Sequence, residues 1–149
     1  MMRKSLFIIA LVYSCLLCAA DFVPESRWIT ASEGNVDAEN TWIAFRKDIT
    51  LGSIPMKVEA SIAADSKYWL WINGEMVVFE GQLKRGPTPK DTYYDKVDIT
   101  PFLKKGNNEV AVLLWYFGKS GFSHNSSGKS GLLFSAQAIG LYSSSQWMS

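Results

Sequence analysis

Cysteine is scarce in this 149-residue chain. It has two, Cys15 and Cys18, and both fall in an apolar opening segment. Removal of that segment would leave no disulfide framework and no thiolate metal site, so the remaining chain must rest on an apolar core. Histidine occurs once, at His124, too few for a zinc site without several carboxylates. Neither sign of charge dominates: 15 Lys and Arg stand against 14 Asp and Glu, and loss of Arg3 and Lys4 with the opening segment reverses even that small excess. Nothing in this balance favours a nucleic acid or an anionic membrane as partner. No window of useful length shows helical periodicity, and there is no internal repeat or low-complexity tract.

Residues 1–20 read as a secretion signal. Arg3 and Lys4 precede an apolar run from Leu6 to Leu17, and Cys18-Ala19-Ala20 supplies the small residues a signal peptidase reads. Cleavage is expected before Asp21. The run is too short for a membrane span. A rival reading takes Leu11 to Cys15 as a loose bacterial lipobox, with lipid on Cys15. Export to the periplasm or the medium is the expected localisation.

The remainder reads as short strands. Residues 21–40 form a polar lead-in with one short strand at Arg27 to Thr30, and residues 41–149 form the folded domain. In residues 41–51, Trp42 and Ala44 share one face and Ile43 and Phe45 the other. Residues 57–63 alternate, with Val58, Ala60 and Ile62 inward and Lys57, Glu59 and Ser61 outward. Asn73-Gly74, set between YWLWI and EMVVF, predicts a β-hairpin with positive φ in its turn. Residues 81–92 are a loop. A short strand at Tyr93-Tyr94 follows, then a helical turn from Thr100, capped by that threonine and opened by Pro101. Residues 109–117 and 132–139 are the last strands, separated by a Gly/Ser loop. The fold class is therefore all-β, a jelly-roll-like sandwich.

Two of these strands are apolar on both faces. Tyr68, Leu70 and Ile72 alternate with Trp69 and Trp71, and Val110, Val112, Leu114 and Tyr116 alternate with Ala111, Leu113, Trp115 and Phe117. One face of each fills the core, and the other must be covered or must bind something. The working expectation puts Trp115 and Phe117 in the core and Tyr116 on the outer face. Flat aromatics stack on sugar rings, and they also build domain interfaces. Trp69, Trp71, Trp115, Tyr116, Phe122, His124 and Asn125 are the candidate residues for either role.

Catalytic patterns are missing. Glu75 and Glu80 face opposite sides of an ideal strand, which does not suit a glycosidase pair. Asp91, Asp95 and Asp98 are turn residues; as a structural calcium site they match no recognised loop, and no cofactor is expected. His124 lacks a nucleophile elbow and reads as a hydrogen-bonding loop residue. Gly128-Lys129-Ser130 lacks the first glycine of a phosphate loop, since Ser123 stands there. Asn125-Ser126-Ser127 fits the glycosylation pattern.

YWLWING at 68–74, DITPFL at 98–103 and GNNEVAV at 106–112 resemble the galactose-binding-like β-sandwich carried by many glycoside hydrolases. RGPTPKDTYYDKVDIT at 85–100 and WYFGKSGFSHNSSGKSGLLF at 115–134 narrow the resemblance to the N-terminal region of bacterial α-L-rhamnosidases, over residues 25–147. The resemblance implies a non-catalytic accessory domain. In that family an (α/α)6 barrel downstream hydrolyses terminal α-L-rhamnose with inversion, by two acidic residues. The implied partners are that barrel and a rhamnose-containing glycan, and no family catalytic residue maps onto this sequence. A truncated or fragmentary product is expected, with a stand-alone secreted carbohydrate-binding module as the alternative.

Overall fold

The computed structural model describes residues 21–83, 93–122 and 124–149. The proposed signal with Cys15 and Cys18, the Arg85 to Thr92 part of the resemblance with Asp91, and Ser123 lie outside the described residues.

Among the described residues eight strands run in chain order: β1 (Thr41–Leu51), β2 (Glu59–Asp65), β3 (Lys67–Ile72), β4 (Glu75–Gln82), β5 (Asp95–Asp98), β6 (Gly106–Tyr116), β7 (Gly131–Ala136) and β8 (Leu141–Tyr142). They form two four-stranded antiparallel sheets, β1-β6-β3-β4 and β5-β2-β7-β8. The inner faces meet in one core that includes Ile43, Phe45, Leu70, Ile72, Val112, Leu114, Ile62 and Phe134. The fold is thus the all-β sandwich expected from short, turn-punctuated, β-branched segments.

The Asn73-Gly74 turn is as read. Asn73 and Gly74 have φ of 53° and 83°, and they join β3 to β4. Asn73 also anchors the neighbouring turn, since its side-chain amide donates to Phe102 O (2.8 Å) and Asn108 Oδ1 (2.9 Å). Its own Oδ1 accepts from Glu109 N at 3.2 Å.

The strand from 57 needs correcting. Pairing starts at Glu59, and Ser61 is buried, as are Ala63 and Ala64. β5 and β7 flank β2 edge to edge, and both of its faces are covered: Ser61, Ala63 and Asp65 on one are buried as well as Ala60, Ile62 and Ala64 on the other. Tyr93 and Tyr94 precede β5 and are not strand. Thr100 is not the cap of the helical turn. That single 3-10 turn, Thr100–Phe102, is preceded by Ile99 at the cap position, with no side-chain cap. The Thr100 hydroxyl instead donates to Asp98 Oδ1 (2.6 Å) and accepts from Val58 N (2.7 Å). The final segment turns at Gln137–Ile139 before the short β8. The lead-in packs against the second sheet: Ile29 bridges to Leu132, Val23 N donates to Ser135 Oγ at 3.4 Å, and Asp21 pairs with Lys96 of β5.

Candidate contact surface

Strand alternation decides which aromatic side chains reach the surface. In β3, Tyr68, Leu70 and Ile72 are fully buried; in β6, Val110, Val112, Leu114 and Tyr116 are buried. Trp69, Trp71, Ala111, Leu113 and Trp115 therefore occupy the outer face of the β1-β6-β3-β4 sheet, where all five are half-buried. The expected assignment of β6 is reversed. Tyr116, 1% exposed, is a core residue and cannot meet a sugar or a partner; Trp115 faces outward. Register explains this. Tyr116 follows Val112 and Leu114 at intervals of two, in line with Ile43 and Phe45 of the paired β1.

The outer aromatics form a connected row. Trp42, opposite Trp115 in the β1–β6 register, stacks on Trp115 with centroids 4.7 Å apart and planes 11° from parallel. It also stacks on Trp69 at 5.6 Å and 28°. Phe79 of β4 meets Trp69 edge-on at 6.4 Å, and Phe117 meets Trp115 edge-on at 4.6 Å. The indole N–H of Trp115 donates to Asn40 Oδ1 at 2.8 Å. Trp42 and Phe79 are 48% and 70% exposed, so the row is open to solvent. Neither was a candidate from sequence. The signal that could have found Trp42 is its place opposite Trp115 once the pairing of 41–51 with 106–116 is known.

Next to this row lies a shallow apolar depression of about 330 Å3. Ala44, Ala111 and Leu113 floor it, with Trp71 and Met148 at its sides. The side-chain charge lining it is Arg46, which is already paired with Glu109 (2.6 Å) and Asp48 (3.4 Å). The small Ala44 and Ala111, which lie opposite Leu113 and Arg46 in the β1–β6 register, leave the hollow beside Trp71.

His124 is not the hydrogen-bonding loop residue expected, and its ring packs instead of bonding. It is 6% exposed, packed edge-on against Phe117 at 5.6 Å. Its Nε2 lies 3.1 Å from Asp65 Oδ1 yet outside hydrogen-bond geometry, and among the described residues neither ring nitrogen has a hydrogen-bond partner. Asp65 is instead satisfied by Ser66 Oγ (2.7 Å), Ser127 N (2.6 Å) and Ser126 Oγ (3.3 Å). Among the described residues no serine hydroxyl bonds to His124, so Asp65, His124 and Ser126 do not make a nucleophilic triad. Their arrangement pins the 118–130 loop to the end of β2. Phe122 and Asn125 sit exposed on that loop, beside the Gly121–His124 bridge, and Trp71 borders the depression.

Several acidic residues are engaged structurally. Glu80 pairs with Lys67 at 2.9 Å, and Asp95 accepts from the Tyr68 hydroxyl (3.1 Å) and Gln82 N (2.7 Å). Hydrogen bonds from Thr100 hold the Asp98 carboxyl below its ordinary value. Asp21 pairs with Lys96 and Tyr94; these contacts lower its own value and raise theirs. Among the described residues, no group of three or more His, Cys, Asp or Glu could hold a metal ion, and no helix is long and apolar enough to cross a membrane.

No family model matches the chain, and no curated protein does. Solved structures do. A GH78 family rhamnosidase of Bacillus sp. GL1 is 30% identical with a TM-score of 0.67, over 85% of this chain and 13% of that one. The α-L-rhamnosidase of Streptomyces avermitilis, solved with L-rhamnose, is 21% identical with a TM-score of 0.58, over 82% of this chain and 12% of that one. A lectin from Pleurotus ostreatus, solved with GalNAc, shares the fold at 18% identity and a TM-score of 0.52, over 83% of this chain and 35% of its own. The chain thus resembles, over most of its described length, a β-sandwich region of α-L-rhamnosidases. It spans about an eighth of the two rhamnosidases compared, as a single domain of them would.

Proposed function

We propose that this chain is a non-catalytic accessory β-sandwich of an α-L-rhamnosidase-like glycoside hydrolase, exported through residues 1–20, with a rhamnose-containing glycan as the substrate of the whole protein. The observation that carries this reading is the 30% identity to the Bacillus enzyme over 85% of the chain. Two features support the non-catalytic part. Glu80 is tied to Lys67, and Asp95 to Tyr68 and Gln82, so these carboxylates act as structural acceptors. Inverting hydrolysis needs an acid and a base roughly 6.5–9.5 Å apart across a sugar, each free to move a proton.

The test has two arms. The coding sequence is read in both directions, and an in-frame (α/α)6 domain is expected. The purified chain is assayed on an aryl α-L-rhamnoside, where no release is expected. Turnover that disappears in Glu75→Gln or Glu80→Gln would refute the non-catalytic assignment. A stand-alone carbohydrate-binding module is the second reading, favoured by the solvent-open Trp42 and Phe79. Saturable binding of a rhamnosyl glycan by the chain alone, with no further domain encoded, would establish it.

A further inference from the structure

The outer face of the β1-β6-β3-β4 sheet has two competing uses, as a sugar platform or as a seat for protein. Sugar recognition requires a free aromatic face and several polar groups converging on hydroxyls. Here the indole faces are spent on one another, since Trp42 stacks on both Trp115 and Trp69. The Trp115 N–H is committed to Asn40. Arg46 at the depression is held by two carboxylates, and at the rim Lys67 pairs with Glu80 and Lys119 with Glu39. A pyranose laid on this face would bury hydroxyls without partners, a cost that apolar contact does not recover.

The same features suit an uncharged, apolar protein surface. Trp42, Met76, Phe79 and Met148 are about half exposed or more. With the half-buried indoles they leave on the order of 500 Å2 of apolar surface, taking roughly 150–250 Å2 for each large side chain. That lies at the upper end of the largest patch on a typical monomer, about 300–600 Å2. It falls short of the roughly 800 Å2 per partner of a stable complex between separate chains. It fits one side of an interdomain contact, roughly 600–1,500 Å2 in all.

We infer that this face is an interdomain seat, and that its occupant is an apolar element of the remainder of the rhamnosidase-like protein, with an aliphatic or methionine side chain entering the Ala44–Ala111 depression. The inference rests on the accessory-domain reading, because that reading supplies the occupant. Neutralised rim pairs leave little charge to steer a partner, which suits a tethered neighbour that needs no long-range capture.

Hydroxyl-radical footprinting read by mass spectrometry tests it, on the chain alone and on the natural full-length gene product. Trp42, Met76, Phe79 and Met148 are expected to label in the chain alone and to be protected in the full-length product. Ala44→Glu with Ala111→Glu should restore labelling there, while circular dichroism of the chain carrying both changes stays native. Unchanged labelling in a product that does contain further domains would overturn the seat and leave the accessory-domain reading standing. A product with no further domain would remove that reading, and the named occupant with it. Protection of these residues in the chain alone by L-rhamnose or a rhamnosyl glycan would make the face a sugar platform. Protection through a discrete dimer of the chain would make the occupant a second copy. Either result overturns the inference. Should the double variant fail to fold, Trp71→Ala, at the wall of the depression, serves as the second probe.

Discussion

Tyr116→Ser should cripple the fold and Trp115→Ser should not, although the two residues are adjacent in β6. Tyr116 is 1% exposed, and its side chain lies between the sheets. Truncating a buried aromatic costs about 3–5 kcal/mol through lost burial and the cavity left behind. A domain of this size is stable by about 5–15 kcal/mol, so the variant is expected near the edge of folding. At roughly 4 °C per kcal/mol, its Tm should fall by on the order of 15 °C. Trp115 leaves no cavity in the core. It loses the stack on Trp42, the edge contact with Phe117 and the hydrogen bond to Asn40. Aromatic pairs contribute about 0.5–1.5 kcal/mol each, and a partly exposed hydrogen bond contributes less. A loss of about 1–3 kcal/mol follows, with a gain in solubility because an outward indole is removed. Urea unfolding followed by circular dichroism measures both, and the m value should not change. If Trp115→Ser proves the more destabilising, the faces of β6 are wrongly assigned and the outer aromatic row does not exist as described.

Gly81→Ala should destabilise strongly. A Cβ at Gly81 would stand 2.7 Å from the Tyr68 hydroxyl and closer still to its ring, and Tyr68 is fully buried. Overpacking costs about 1–3 kcal/mol, more if the Tyr68–Asp95 hydrogen bond breaks as well. A double-mutant cycle with Tyr68→Leu should recover part of the loss, and strict additivity would refute the contact. Alkaline pH should weaken the fold through the same tyrosine. Burial raises the Tyr68 hydroxyl well above its ordinary 10.0, with Asp95 adding to the shift. The folded state thus holds a proton that the unfolded state releases. The stabilisation is full below pH 10 and falls by about 1.4 kcal/mol per pH unit above it. Tyr68→Phe should remove that slope, and an unchanged alkaline profile would count against the burial. Asn73→Ala should cost about 2–4 kcal/mol, since it removes side-chain bonds to Phe102 and Asn108, orphans Glu109 N, and puts alanine at a φ of 53°. Asn73→Gly should lose less, because glycine restores the turn; equal losses would mean that the turn contributes nothing.

Local chemistry was legible in the sequence. Asn-Gly between two apolar runs specifies a hairpin through φ preference alone, and period-two alternation in 41–51 separates Ile43 and Phe45 from Trp42 and Ala44 without reference to any partner. The all-β class follows from such segments, and the rhamnosidase resemblance from contiguous motifs. Alternation divides a strand into two faces, but it does not say which is inside when both are apolar, as in β6. Only the pairing with β1 on one side and β3 on the other placed Tyr116 with Ile43 and Tyr68, and Trp115 with Trp42. The burial of Ser61 was illegible for a related reason: its face is covered by chain from elsewhere, with Val23 N of the lead-in donating to Ser135, the cross-strand partner of Ser61. His124 and Asp65 are far apart in the chain and meet because β2 and the 118–130 loop end at the same edge of the sandwich. The aromatic row joins side chains from four segments of β1, β3, β4 and the end of β6. Its existence depends on strand order and register, which long-range pairing sets and no single segment encodes.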